Sequence, residues 1–182
     1  MSPREVASSG EGASRRPVAL VTGATRRVGL AIATALAEAG CDLILTYRSS
    51  EAEATAKRLR EACRASVEVK PLDLNDLNAV EQFGRELASS SEPIDVLVHN
   101  ASVYERTLLS ELTAAGAMEQ FRINALAPLL LTKELAMKLG QSEMRGGGAV
   151  VAMLDIHAMG LPRSGYSAYA MSKAALHEMV RS

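Results

Sequence analysis

The stretch Thr22-Gly-Ala-Thr-Arg-Arg-Val-Gly29 decides the fold. It joins a short apolar run, Pro17-Val-Ala-Leu-Val-Thr22, to a segment in which Val28, Ala31, Ile32, Ala35 and Leu36 recur at helical spacing. A short apolar run bounded by a turn suits a strand buried on both faces. The second pattern is one face of a helix, and Gly40 stands where such a helix would stop. The quoted stretch is therefore a glycine-rich turn from strand to helix. Its glycines allow the backbone to approach an anion closely, and the helix start behind it offers unpaired N–H groups.

Working outward, the alternation repeats. Asp42 to Tyr47 reads as a second strand and Glu51 to Cys63 as a charged, alanine-rich helix. Val67 to Pro71 is a third strand, and Asp76 to Ala88 a helix capped by Asn75 or Asp76. Ile94 to His99 is a fourth strand. A long helix from about Ala115 to Leu139 follows, with Ile123, Leu126, Ala127, Leu130 and Leu131 inward and a kink expected at Pro128. Ala149 to Leu154 is a fifth strand, and the last helix starts near Ser167 and runs on to Ser182. Strictly alternating elements imply right-handed crossovers and an α/β fold: a doubly wound parallel sheet in three layers, α/β/α. Ligands of such sheets bind beyond the carboxyl ends of the strands. The unusual residues lie there: Gly23 to Gly29, Arg48, Asp73, Asn100 to Tyr104 and Asp155.

Thr22 to Gly29 resembles the Thr-Gly-x-x-x-Gly-x-Gly motif of the short-chain dehydrogenase/reductase family, with Arg27 in place of the middle glycine. That departure is the variant of the pteridine reductases, in which this arginine reaches both cofactor phosphate and substrate. The resemblance implies a Rossmann-like fold and a dinucleotide held by Gly23, Thr25, Arg26, Arg27, Val28 and Gly29. The second strand ends in Arg48-Ser-Ser50, where NAD-specific folds usually place an acid for the ribose hydroxyls. Arg48 instead offers a donor fork for a 2′-phosphate, with Ser49 beside it, which favours NADP(H) over NAD(H). Asp73-Leu74 resembles the family's adenine-contacting pair; alone it could be a helix-capping loop. His99-Asn-Ala-Ser102 resembles the family's Asn-Asn-Ala-Gly: Asn100 and Ala101 match, and Ser102 is the pteridine-reductase version that contacts cofactor phosphate. His99 reads as a packed strand-end histidine.

Tyr169-Ala-Met-Ser-Lys173 places a phenol and an ammonium on one helix face. A nearby ammonium lowers a tyrosine pKa and makes Tyr169 a general acid; the bland alternative is a solvated helix face. The pair matches the family's catalytic Tyr-x-x-x-Lys, with Lys173 also implied to hold the nicotinamide ribose. Asn124 matches the family's catalytic asparagine, and an asparagine in an apolar helix needs a partner in any case. Asp155 stands where most members carry serine. A carboxyl group can donate a proton if burial raises its pKa, and reducing a ring C=N needs a proton on nitrogen. Aspartate here is the pteridine-reductase pattern. Tyr104 matches the aromatic that stacks on the pterin, so Arg27 and Tyr104 are the implied substrate contacts. The interval from Asp155 to Tyr169 is one residue longer than usual, an insertion placed between Ala158 and Ser164.

The rest bounds the alternatives. The 182 residues carry 20 basic and 21 acidic side chains, a balance that argues for neither nucleic acid nor a membrane surface. Cys41 and Cys63 are too few and too isolated for a disulfide framework, and Asp155 with His157 lacks a third metal ligand. Residues 1–16, small and polar, read as a disordered tail without a signal sequence, ahead of one domain over residues 17–182. A cytoplasmic location follows by default. Family members continue beyond the last helix with further strands and a substrate-covering loop, so the chain is expected to be incomplete at its C-terminus and, at full length, a dimer or tetramer. Three functions remain in play: an NADPH-dependent reductase of pterin or dihydrofolate-like rings, an NADPH-dependent carbonyl reductase of the 3-oxoacyl or sugar/steroid type, and a truncated NADP-binding scaffold without turnover.

Overall fold

The computed structural model describes residues 15–48, 52–156, 160–161 and 163–182. Along the chain run β1 (Val18–Val21), α1 (Arg27–Glu38), β2 (Asp42–Tyr47), α2 (Ala52–Cys63), β3 (Val67–Pro71), α3 (Leu77–Ser89), β4 (Val96–His99), α4 (Ala114–Phe121), a π-helical turn (Arg122–Leu126), α5 (Ala127–Gly140), β5 (Ala149–Ala152) and α6 (Ser167–Met179). The strands form one parallel sheet in the order β3-β2-β1-β4-β5. The order reverses between β1 and β4, because β1 pairs with β2 on one side and with β4 on the other. The expected doubly wound α/β sheet is the one found.

Alternation along the strands fills both faces. Ala19 and Val21 point with Leu43, Leu45, Val96 and Val98 into a core shared with α1 and α2. Leu20, Ile44 and Leu97 point the other way, onto Val80 and Phe83 of α3 and Leu131 and Leu135 of α5. This is why the strands read as continuous apolar runs.

Several details differ from expectation. On α1 the buried residues are Gly29, Ala33 and Ala37, with Ala31 and Ala35 exposed and Val28 55% exposed. The small residues face the sheet because they let the helix axis sit close to β1; large apolar size is a poor guide at so tight a contact. The chain does not simply kink at Pro128. Proline has no N–H to give to Asn124, and the helix relaxes into the i→i+5 turn just before it, Ala127 N–H bonding the Arg122 carbonyl. Asp76 caps α3, accepting from Ala79 N at 3.0 Å. The last helix ends at Met179, short of Ser182. β1, β4 and β5 are shorter than their apolar runs.

Arg15 and Arg16, expected in the tail, are anchored to the body; residues 1–14 lie outside the described residues. Arg16 bonds the Gly40 and Arg64 carbonyls. Arg15 forms a two-pronged ion pair with Asp95 at 2.6 and 2.8 Å. The Asp95 side chain is 0% exposed, precedes β4, and also accepts from Val18 N at 2.8 Å and Ser142 Oγ at 2.6 Å. A buried carboxylate is tolerable only when so fully bonded. The Arg15 bond above all, with help from Ser142 and Val18, outweighs burial and holds its pKa down to about 2 against an ordinary 3.8.

Because the folded pKa lies below the unfolded one, this carboxylate adds stability above about pH 4 that is lost as pH falls towards 2. The shift corresponds to about 2 kcal/mol. Asp95→Asn keeps the shape but turns an amide N–H₂ towards donors and leaves Arg15 without its counter-charge. It should cost about 2–4 kcal/mol in urea unfolding at pH 7 and flatten the acid limb. A variant as stable as the parent at pH 7 would remove the anchor role.

Candidate functional site

A cleft of about 670 Å³ opens where the strand order reverses, at the carboxyl ends of the strands. Its floor is set by one set of bonds. Asn100 Nδ2 donates to the carbonyls of Thr22 (2.9 Å) and Gly23 (3.1 Å). Thr22 Oγ1 accepts from the backbone of Asn100 and Ala101, each at 3.1 Å. The turn after β1 is thereby tied to the turn after β4. Gly29 fits beneath this tie: a Cβ there would lie 2.3 Å from the Gly23 carbonyl oxygen and 2.5 Å from Asn100 Nδ2.

The start of α1 faces the cleft with no side-chain cap at Arg26 and no acid in its first turn. Its N–H groups are thus left for an anion. Thr25, Arg26, Arg27 and Val28 line the same wall; Arg48 lies past β2 and Asp73 with Leu74 past β3. The lining carries Arg26, Arg27, Arg48 and Lys173 against the carboxylate Asp73, with Asp155 just behind the lining residue Tyr169, a charge balance suited to a phosphorylated ligand. Ala101, Ser102 and Tyr104 close the side towards β4. Every residue read from the sequence as cofactor-binding lines this cleft except Ser49, which lies, with Ser50, outside the described residues. His157 and part of the insertion after it lie outside them too.

Arg27 has φ +50°. It sits in left-handed backbone where glycine would be unstrained, which costs roughly 1 kcal/mol.

At the other end of the cleft, α6 brings Tyr169 and Lys173 under β5. Tyr169 O–H donates to Asp155 Oδ2 at 3.1 Å. Lys173, 2% exposed, donates to the Met153 carbonyl at 2.8 Å. The expected lowering of the Tyr169 pKa is not found. Burial first, then the Asp155 carboxylate, push it above its usual value, so the phenol is protonated at neutral pH. Lys173 is the group that shifts down, to about 8, because burial outweighs attraction to Asp155. His99 is a packed histidine: buried, 2.8 Å from Thr132 Oγ1, and held neutral near pKa 4 by burial and then by the Lys173 charge.

Asn124 is fully committed within the protein. Its Oδ1 accepts from Ser102 Oγ (3.0 Å) and Val103 N (2.8 Å). Its Nδ2 donates to the Val103 carbonyl (2.9 Å) and Ser172 Oγ (3.0 Å). The side chain ties the loop after β4 to α6 and has no capacity left for a direct role in proton transfer.

Two residues at the site were missed in the sequence. Tyr166 stacks on Tyr104 at 4.7 Å and 19°, and Tyr104 meets Tyr169 edge-on at 4.7 Å. The Arg163 guanidinium lies 4.6 Å from the Tyr166 ring centre and donates to the Tyr104 hydroxyl. A signal existed: Tyr166 stands one helical turn before Tyr169, and three of the chain's four tyrosines gather here. Among the described residues no cluster of His, Cys, Asp or Glu could hold a metal, and no helix is long and apolar enough to cross a membrane.

Comparison with known proteins places this geometry. The family model described as short chain dehydrogenase matches residues 17–182. An uncharacterised oxidoreductase of Methylorubrum extorquens is 34% identical over 149 residues, which is 76% of this chain and 54% of that protein. An alcohol dehydrogenase of Thermococcus sibiricus, solved with 5-hydroxy-NADP, superposes with a TM-score of 0.82 at 28% identity, covering 92% of this chain and 69% of that one. A 3-oxoacyl-[acyl-carrier protein] reductase of Brucella melitensis superposes with a TM-score of 0.81 at 30% identity over 92% of this chain and 68% of that one. The chain spans between 29% and 62% of the length of the relatives it matches by sequence.

Arg27→Gly should raise stability by about 1 kcal/mol by relieving the backbone, whereas Arg27→Ala, which keeps the strain, should not. Equilibrium unfolding of both variants tests this; equal effects would mean that the side chain and not the backbone sets the difference.

Proposed function

The chain belongs to the short-chain dehydrogenase family, and on that premise we propose that it is an NADPH-dependent reductase of a ring C=N bond of the pterin or dihydrofolate type. The observation that carries this reading is the Tyr169 to Asp155 hydrogen bond at 3.1 Å. A C=N bond gains a proton on nitrogen when it is reduced. Here a carboxyl group, and not the serine usual at this position, stands at the end of a short proton path. In the reducing step Asp155, protonated from solvent, gives its proton to substrate nitrogen, and the Tyr169 phenol, hydrogen-bonded to it, stabilises the carboxylate left behind. The raised Tyr169 pKa keeps the phenol protonated at neutral pH, so it remains a hydrogen-bond donor to that carboxylate.

The cleft fits a phosphorylated dinucleotide on its own chemistry. The uncapped α1 start and the Gly29 cradle suit the pyrophosphate. Arg26 and Arg27 lie beside it, and Arg48, with Ser49, takes the 2′-phosphate that an acid would repel. Asp73 and Leu74 flank the adenine end, and Asn100, Ala101 and Ser102 the phosphate side. Lys173 holds the nicotinamide ribose. The bound cofactor supplies the hydride. Asn124 acts as a positioning residue, fixing Ser102 and Val103 against α6. Tyr104, through the face that Tyr166 leaves open, offers a flat ring a stacking surface, and Arg27 in the same cleft is the second substrate contact.

The second reading is a carbonyl reductase in which Asp155 merely replaces serine. The likeness to the Brucella 3-oxoacyl reductase favours it.

Two measurements test the proposal. Near a hundred times its dissociation constant NADPH should stabilise the chain by about 2.7 kcal/mol in thermal unfolding. NADH should do less, and Arg48→Glu should reverse the preference. No shift with either would leave no nucleotide site. With NADPH present, dihydrobiopterin is compared with a panel of ketones. Asp155→Ser should lower pterin turnover on the order of 100-fold, the usual scale for losing a positioned acid. Faster pterin turnover in that variant, or ketones as the only substrates, would establish the second reading.

A further inference from the structure

The Tyr104 end of the cleft is walled by the loop after β4, and the loop before α6 packs against Tyr104 at its rim. Among the described residues several contacts join them. Thr107 N donates to the Gly165 carbonyl at 2.7 Å. Arg163 donates to the Tyr104 hydroxyl. Gly165, at φ +81°, packs under the Arg106 side chain, whose Cγ would lie 3.0 Å from a Cβ there. Two guanidinium groups therefore border this rim, Arg163 over the aromatic pair and Arg106 over Gly165. Both are exposed, and among the described residues neither enters an ion pair.

The Arg163 placement is the informative part. Its guanidinium is 4.6 Å from the centre of the Tyr166 ring and 5.8 Å from that of Tyr104. Stacking on a ring, with one N–H fixed by the Tyr104 hydroxyl, removes most of the freedom an exposed arginine would otherwise lose on binding. The remaining N–H groups form a donor fork held at the outer edge of the aromatic surface. A fork of that kind matches a carboxylate or phosphate and finds no counter-charge in a neutral polyol or alkyl tail.

Resting on the function proposed above, we propose that the substrate is a flat ring carrying an anionic substituent, and that Arg163, assisted by Arg106, is the specificity-determining residue that takes this group. The reacting edge of the ring lies at Asp155 and Tyr169, its face against Tyr104, and its charged tail runs outward to the rim. A carboxylate tail and a phosphate tail share the chemistry, and the test separates them.

The test is equilibrium binding of unreactive rings to the full chain saturated with NADP⁺, in low salt. The probes are biopterin, which has a neutral tail; folate, which has carboxylates; and neopterin monophosphate. The expected result is that folate or the phosphate binds at least tenfold more tightly than biopterin, and that raising ionic strength erodes the difference. In Arg163→Gln the ratio to biopterin should collapse towards one, with Arg163→Lys intermediate. Any loss of ring stacking weakens all probes alike and cancels in the ratio, so the ratio reports the tail alone. Preference for folate over the phosphate assigns a carboxylate tail, and the reverse a phosphate tail. Equal affinities for all three in the parent chain, or a preference that survives Arg163→Gln, would overturn the inference while leaving the ring-reductase reading intact. No binding of any probe would overturn both.

Discussion

The bonds between Asn100 and the Thr22–Gly23 turn are the constraint on which the site depends. A parallel sheet whose order reverses between β1 and β4 sends its helices to opposite faces and leaves a gap at that point. Two turns flanking such a gap are free to collapse or splay. Here the amide of Asn100 spans them, and the Thr22 hydroxyl returns two bonds from the other side. The α1 start is thereby held facing the gap, close enough to the turn that Gly29 has no room for a Cβ. The anion-facing backbone, the cationic lining and the aromatic wall are all referred to this tie.

β4 is four residues long, and the side chains at its two ends have opposite tasks. Asp95, just before it, is closed off by Arg15, Val18 and Ser142. Asn100, just after it, opens the cleft. Bonded charge is concentrated at the amino ends of the strands, where it adds stability. Strain and shifted titration lie at the carboxyl ends: the positive φ of Arg27, the raised Tyr169 and the lowered Lys173. Strain of that kind persists only where the surrounding structure holds it.

What could be read in the sequence was whatever is local. β2 and β3 have the ends their apolar runs predict, and the cleft lining is almost wholly the set of residues that follow strands. What could not be read depends on where distant segments meet. The Tyr169-x-x-x-Lys173 spacing says the two share a helix face, yet not that burial, and then a hydrogen bond to Asp155 fourteen residues earlier, reverse the direction of the phenol's shift. Asn124 reads as needing a partner, but only the folded chain shows that Ser102, Val103 and Ser172 use all its capacity. Tyr166 and Arg163 were overlooked because their partner, Tyr104, lies on another loop, and no periodicity joins the two. The inward face of α1 was misjudged for a related reason: side-chain size predicts burial only where there is space to be filled.

The Tyr169–Asp155 contact also bears on why a carboxyl group would replace serine. A serine hydroxyl beside a tyrosine polarises a carbonyl oxygen and leaves the phenol as the sole acid. A carboxylate accepting from the phenol raises the phenol pKa, which makes Tyr169 a weaker direct donor to a carbonyl oxygen. The same contact sets a carboxyl group beside a ring nitrogen, which is more basic than a carbonyl oxygen, and the phenol hydrogen bond would stabilise the carboxylate left once that proton is given. The shift that penalises ketone reduction thus costs little for a C=N bond. The lowered Lys173 fits the same balance, since its cation is bonded to the Met153 carbonyl and not to the phenol. The proposed ring reductase and the carbonyl reductase thus differ in what they ask of Tyr169: a standing donor to Asp155 in the first, the acid itself in the second.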